Sequence, residues 1–197
     1  LALDRVAGIV YDAAIFTNLS HEHLDLHGTF EAYRAAKVSL FERLGGGRPD
    51  VLPAPARAAL PQKPLAWPAV AVVNADDPNA DHFLRAARAT GARVVRYGFR
   101  AEAEVRATAI EETRNGVGFE VLGPPVGRVE LQLPGRFNVA NALAVVALGE
   151  GLGLDPERVR AGLASVDRIP GRTERVELGQ PFGVVVDYAH SPAALEA

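Results

Sequence analysis

The sequence predicts an α/β fold: a mostly parallel sheet flanked by helices, with a small antiparallel sheet at its side. Three observations carry this. Short apolar runs of strand length alternate with helical patterns, which is the signature of a parallel sheet with crossover helices. Three of those runs lead straight into polar residues, Asn18, Asn74 and Asp187, as strands do when a ligand site lies beyond their carboxyl ends. Between residues 103 and 133 the pattern changes to alternating apolar and polar, the period of half-buried antiparallel strands.

Taken in order, Ala13 to Thr17 reads as a buried strand ending in Thr17-Asn18. Thr29 can cap a helix that runs to about Leu44, where Gly45-Gly46-Gly47 ends it. Residues 48 to 68 carry Pro49, Pro53, Pro55, Pro61, Pro64 and Pro68, so this stretch reads as a loop or insertion rather than a core element. Val70 to Val73 is a second buried strand, ending in Asn74-Ala75-Asp76-Asp77. Asp77-Pro78 starts a helix to about Thr90, closed by Gly91, and Arg93 to Tyr97 is a third strand. Asn115-Gly116 and Gly123-Pro124-Pro125 mark the turns of the antiparallel stretch. Phe137 to Leu152 is an apolar helix, and Asp155-Pro156 opens another to about Ala164. Val184 to Val186 reads as a last buried strand, ending in Asp187.

The 197 residues suit one domain, or one domain and part of another. A chain of this size buries roughly 70% of its unfolded surface, so no disulfide or metal staple is needed to hold it. The absence of cysteine excludes disulfides, cysteine–zinc sites and thiol catalysis. A net charge of −3 lacks the basic excess that nucleic acid or a membrane surface would demand, so neither is expected as a partner. No apolar run approaches the ~18 residues of a membrane span and none reads as a secretory h-region, which makes a cytoplasmic address the expectation. The lack of any methionine, and the helix start at Ser191-Pro192 just before the sequence stops, suggest a segment of a longer protein.

Four groups of residues could carry chemistry. Ser20 to His27 holds three histidines and two carboxylates in eight residues but lacks the H-E-x-x-H spacing of a zinc site. A hard ion such as Mg²⁺ needs few protein ligands and fits such a cluster, as a solvated polar loop also would. Lys37 falls within the apolar stripe of Phe30, Tyr33, Leu40, Phe41 and Leu44, four residues after Tyr33 and three before Leu40. Burial there would favour a neutral, nucleophilic amine that CO₂ can carbamylate; a lysine at the stripe's edge would instead reach out to water. Asn138 and Asn141 share one face at a helix start, and an amide can donate to and accept from an adenine edge together. Asn138 could equally be a helix cap. Finally, Arg172 in the turn Pro170-Gly171-Arg172-Thr173-Glu174 suits a phosphate, or a surface ion pair with Glu174, and Asp187 at a strand end suits a ribose hydroxyl. Neither G-x-x-x-x-G-K-S/T nor G-x-G-x-x-G occurs, so the chain has no phosphate-cradling loop of its own.

The order of these motifs resembles one family. Thr17-Asn18-Leu19-Ser20, His23-Leu24-Asp25, His27-Gly28, Glu31-Ala32-Tyr33 and Ala36-Lys37 are followed by Asn74-Ala75-Asp76-Asp77 and Gly135-Arg136-Phe137-Asn138 with Asn141. Gly171-Arg172 with Glu174 and Asp187-Tyr188-Ala189-His190 complete the set. The sequence thereby resembles the central domain of the Mur ligases, most of all the MurE type, over nearly its whole length apart from the proline-rich stretch. The resemblance implies a P-loop-type ATPase domain whose P-loop is missing. Residues 1–175 would be that central domain, truncated at its start, and residues 176–197 the beginning of a C-terminal ligase domain.

It also implies an ATP-dependent ligase adding the third amino acid, meso-diaminopimelate or L-lysine, to UDP-MurNAc-L-Ala-D-Glu through an acyl phosphate. The cofactors implied are ATP and Mg²⁺, and a monomer is expected. By the same resemblance Lys37, as a carbamate, and His23 hold a magnesium ion and serve catalysis. Asn138 and Asn141 lie near adenine, Arg172 on the ATP phosphates, Asp187 by the ribose, and Tyr188 and His190 along the nucleotide. Arg5 contacts the UDP-linked substrate. Three features depart from the family pattern: Glu22 stands where aspartate is usual, Leu3 where some members have a polar contact, and residues 48–68 are long. Alternatives are another enzyme of this fold, of the folylpolyglutamate synthase or cyanophycin synthetase type, or a nucleotide-binding module without catalysis.

Overall fold

A computed structural model describes residues 9, 11–20, 27–45, 69–113, 116–176 and 178–190. Its centre is a six-stranded sheet in the order β1-β2-β3-β4-β5-β6. The strands are β1 (Ala13–Phe16), β2 (Val70–Asn74), β3 (Arg93–Gly98), β4 (Val105–Thr113), β5 (Gly116–Leu122) and β6 (Arg128–Leu131). Pairings β1–β2, β2–β3 and β3–β4 are parallel; β4–β5 and β5–β6 are antiparallel. The expected antiparallel strands therefore exist, and they continue the main sheet edgewise through β4. Of the expected Asn115-Gly116 turn, Gly116 opens β5 and Asn115 lies outside the described residues, as does the proline-rich stretch.

β2 explains why the sheet is layered on both sides. Its continuous apolar run, Val70-Ala71-Val72-Val73, is wholly buried, as the central strand of a doubly covered sheet must be. Alternate residues supply two separate cores. Val70 and Val72 face α3 (Arg136–Leu152) together with Val95, Tyr97, Phe119, Val129, Leu143 and Val146. Ala71 and Val73 face α1 (Phe30–Phe41) and α2 (Ala80–Ala89) with Phe16, Phe41, Phe83 and Leu84. In that second core Phe83 stacks on Phe16 with ring centroids 3.7 Å apart and meets Phe41 edge-on at 5.2 Å. α3 lies close to the sheet because it carries glycine where side chains would collide: a Cβ on Gly151 would sit 2.4 Å from Val70 Cγ1. Gly149 makes the same allowance toward Val159 of α4 (Pro156–Ala164).

The helix boundaries differ from the sequence reading in two places. Thr29 caps α1 as expected, its hydroxyl accepting from Ala32 N–H, but α1 stops at Phe41, and Leu44 leaves the helix to form an isolated parallel bridge with Tyr11. α2 begins at Ala80, not at Asp77-Pro78, because the Asp77 carboxylate accepts from Asn79 N–H and holds that segment as a turn. Asp155 caps α4 with Pro156 behind it, as the sequence indicates.

The last expected strand is a correction. Val185–Val186 forms β8, which pairs only with β7 (Glu174–Arg175) in a separate two-stranded antiparallel ribbon. Its valines are 53% and 47% exposed instead of buried, since no layer of the described residues covers them. An apolar run is a good signal of burial only where a second layer exists to pack on it. The helix expected from Ser191 lies outside the described residues.

Candidate nucleotide site at the carboxyl edge

The carboxyl ends of β1, β2 and β3 are knotted together by side chains. Asn74 Nδ2 donates to Thr17 O at 2.7 Å, and its Oδ1 accepts from Asp76 N–H at 3.0 Å. Asp77 Oδ2 accepts from Leu19 N–H at 3.0 Å, while its Oδ1 accepts from Asn79 N–H and Nδ2. Asp76 accepts from Phe99 N–H and Arg100 N–H. The Tyr97 hydroxyl, in a buried ring, donates to Phe16 O. Burial, followed by the charges of Asp76 and Asp77, pushes the Tyr97 phenol far above its ordinary range, so it is a fixed donor at every physiological pH. The polar residues at these strand ends are thus largely spent on structure.

Beyond this knot stands the N-terminus of α3. The Arg136 guanidinium lies over the Phe99 ring, 4.2 Å from its centroid, which places the helix start beside the end of β3. Asn138 is not a cap. Gly135 occupies the N-cap position at φ +95°, and Asn138 lies three residues inside, buried, its Nδ2 donating to Pro134 O at 2.8 Å. Its Oδ1 accepts weakly from Asn141 Nδ2 at 3.4 Å, so the buried amide braces the exposed one. This amide pair is brought together as the spacing predicted.

The second wall comes from the turn after α4. One cleft runs between Gln132, Leu133 and Pro134 on one side and Asp167, Arg168, Arg172 and Arg175 on the other. Pro134, whose carbonyl Asn138 holds, lines this cleft opposite Arg172; the two asparagines themselves do not line it. Gln132 Nε2 donates to Ala164 O and ties the two walls. A second cleft on the far side of Arg172 is lined by Pro170, Gly171, Asp187 and Tyr188.

The turn is rigid at its base and open at its tips. Glu174 accepts from Gly171 N–H, so its carboxylate serves the backbone, and the Arg172 guanidinium lies 5.1 Å from the Tyr188 ring centroid. Tyr188 and His190 meet edge-on at 4.9 Å. Asp187 accepts from Thr173 N–H at 2.6 Å, from Thr173 Oγ1 at 3.2 Å and from Ala189 N–H at 2.7 Å. Those bonds, with Thr173 N–H foremost, hold its carboxyl below the usual range. Asp187 therefore stands at the base of the turn, with Arg172, Tyr188 and His190 exposed around it.

Of the two placements left open for Lys37, the structure has the one at the stripe's edge. α1 turns Tyr33 and Phe41 inward, and Lys37 is exposed, its Nζ 5.3 Å from the Tyr33 ring centroid. The stripe is real but narrower than the sequence suggested, and a lysine at its edge extends to water along its aliphatic stem. His23 and Arg5 lie outside the described residues. Among the described residues no group of three or more acidic or histidine side chains could hold a metal ion. Sequence reasoning missed Arg136 on Phe99, and Arg168 and Arg175 beside Arg172; the last two were visible as basic residues flanking the Gly171 turn.

An open parallel α/β sheet with amide and guanidinium groups gathered at its carboxyl edge has the form of a nucleotide-handling domain. The chain belongs to the Mur ligase family: residues 1–149 match the Mur ligase middle domain. It is 43% identical over 194 residues to a UDP-N-acetylmuramyl-tripeptide synthetase of Roseiflexus, covering 98% of this chain and 36% of that protein. It is 41% identical over 197 residues to a UDP-N-acetylmuramoyl-L-alanyl-D-glutamate–2,6-diaminopimelate ligase of Bacillus velezensis, covering 100% of this chain and 36% of that one. A solved structure of a 2,6-diaminopimelate ligase of the same name superposes with a TM-score of 0.73 at 29% identity, over 98% of this chain and 36% of its own. The chain thus spans about a third of the length of these relatives.

Proposed function

We propose that this chain is the middle domain of an ATP-dependent ligase of the MurE type. The complete enzyme would join meso-diaminopimelate or L-lysine to UDP-MurNAc-L-Ala-D-Glu, activating the substrate carboxylate as an acyl phosphate for attack by the amine. The observation that carries this is the likeness to ligases of that printed name along the whole chain, at 41% identity in one case. The cleft between residues 132–134 and the Arg172 turn supports it, as does the amide pair at the start of α3 that follows. Asn141, braced by Asn138, suits a base edge; Arg172 suits phosphate; the turn at Asp187, with Tyr188 and His190, suits the sugar side. Phosphoryl transfer needs positioning and charge neutralisation more than protein covalent chemistry, and these residues supply both.

Magnesium would neutralise phosphate charge at the site. Lys37, as a carbamate, and His23 are the residues proposed to hold it, and His23 lies outside the described residues. Arg5 is proposed for the UDP-linked substrate. Residues 1–175 are proposed as the middle domain and 176–197 as the start of the next; β7 and β8 pair across that division. A monomer in the cytoplasm is part of the same proposal. No helix among the described residues is long and apolar enough to cross a membrane.

The test is ATP-dependent amide formation by the full-length ligase, run beside the purified 197-residue chain. The account expects product from the first and none from the second, which has no phosphate-cradling loop in its sequence. Phosphate release by the short chain that depends on the UDP-linked dipeptide would contradict it.

A further inference from the structure

Three side chains from three points of the fold converge on four consecutive residues. Asn74, at the end of β2, donates to Thr17 O at 2.7 Å. Asp77, in the turn that follows, accepts from Leu19 N–H at 3.0 Å. Tyr97, near the end of β3, reaches past β2 to donate to Phe16 O at 3.3 Å. These bonds span 57, 58 and 81 residues of sequence, so none is a by-product of local chain geometry. Two of the three bonded groups, Thr17 O and Leu19 N–H, lie past the end of β1, where the ladder no longer holds the backbone. The side chains of Thr17, Asn18 and Ser20 are exposed, free of the packing that fixes Phe16.

We propose that Asn74, Asp77 and Tyr97 are positioning residues, which extend the rigidity of the sheet into Thr17–Ser20 and set how that segment is presented at the nucleotide edge. The inference rests on the ligase reading above. A loop entering a reactive site gains most from being held in one geometry before substrate arrives, because small misplacements cost large factors in rate. Tyr97 suits the task because its ring is locked in the α3-side core, so its hydroxyl cannot move without the core moving. Asn74 couples the same segment to Asp76, and Asp76 in turn fixes Phe99, on which Arg136 of α3 rests. Thr17–Ser20 and the start of α3 are therefore braced from one turn, Asn74 to Asp77.

The experiment uses the full-length ligase with Tyr97→Phe, Asn74→Ala and Asp77→Ala, and Val95→Ala as a control. Val95 is buried in β3 in the same core as Tyr97, but its side chain can make no hydrogen bond to residues 16–19, so it reports what core destabilisation alone does. Each variant is measured for kcat, for KM toward ATP and the UDP-linked dipeptide, for melting, and for hydrogen exchange at Leu19. The expected result is a kcat lowered roughly threefold to tenfold in the anchor variants, the scale of one lost hydrogen bond, with both KM values nearly unchanged. Leu19 N–H should lose protection in Asp77→Ala, and Val95→Ala should keep its kcat per folded molecule. Unchanged kcat in the anchor variants, or losses that follow the folded fraction as in Val95→Ala, would overturn the positioning role. Absence of ATP-dependent ligation by the unaltered enzyme would instead refute the ligase reading, and retained Leu19 protection in Asp77→Ala would refute the anchoring itself.

Discussion

Two turns at strand ends carry motif residues, and they differ in how many of those residues they leave exposed. From Asn74 to Asp77 the polar side chains point back into the fold, and each carboxylate or amide is bonded to backbone. From Gly171 to His190 the backbone is held by Asp187 and Glu174, while Arg172, Tyr188 and His190 remain exposed. Carboxylates thus hold the backbone in both turns, and the second adds an arginine, a tyrosine and a histidine that present a surface. The difference follows from the layers: the first turn joins three strands of a doubly covered sheet, whereas the second belongs to a ribbon with no layer over it among the described residues.

Lys37 would sharpen this contrast most, because it stands apart from both turns. In the full-length ligase Lys37→Ala should abolish ligation and leave melting unchanged, as expected for an exposed residue. Lys37→Arg should fail as well, since a guanidinium cannot be carbamylated. Near-normal turnover by Lys37→Arg would remove the carbamate from the account.

The next effect is on stability and belongs to the first turn. Asp76→Ala strips the acceptor from Phe99 N–H and Arg100 N–H and should cost about 2–4 kcal/mol in denaturant unfolding. Arg172→Ala, in the second turn, should leave stability within about 0.5 kcal/mol and raise KM for ATP roughly tenfold to a hundredfold, as loss of a charge-assisted contact does. If Asp76→Ala is as harmless to folding as Arg172→Ala, the two turns are not different in kind.

Acid separates the turns more gently. The Asp187 carboxyl is held below its ordinary value of 3.8, so the stabilisation it gives is present above that pH and is lost as pH falls through the lower folded value. The amide signals of Thr173 and Ala189, followed from pH 6 to 2, should shift with a midpoint below 3.8 and should not do so in Asp187→Asn. A midpoint at or above 3.8 would mean that these bonds do not hold the ionised form.

Much of the fold could be read from residues because its strands are buried on both sides and their runs are unbroken, β2 above all. The antiparallel strands were equally legible from their alternation. What failed were inferences from pattern to burial. Val184–Val186 looks like a core strand and is exposed, because burial depends on a covering layer that a run of valines does not reveal. For Lys37 the pattern left burial and exposure both open, and it is exposed, because one helix stripe can be a residue narrower than its sequence period suggests. At the candidate site, the pairing of Asn138 with Asn141 followed from their spacing, but the division of labour between them did not. That one is buried and braces the other is a property of the Pro134 carbonyl above the helix start.

The claim that the start of α3 handles the nucleotide is tested most directly by Asn141→Ala in the full-length ligase. Its amide is the exposed member of the pair, so removal should spare the fold. Losing a hydrogen bond to a neutral partner should raise KM for ATP roughly threefold to tenfold while KM for the UDP-linked dipeptide stays near its original value. Asn138→Ala should do the same and also lower the melting temperature, since it leaves Pro134 O without its donor. Unaltered ATP kinetics in both variants would contradict the account and leave the two asparagines as structural parts of the helix start.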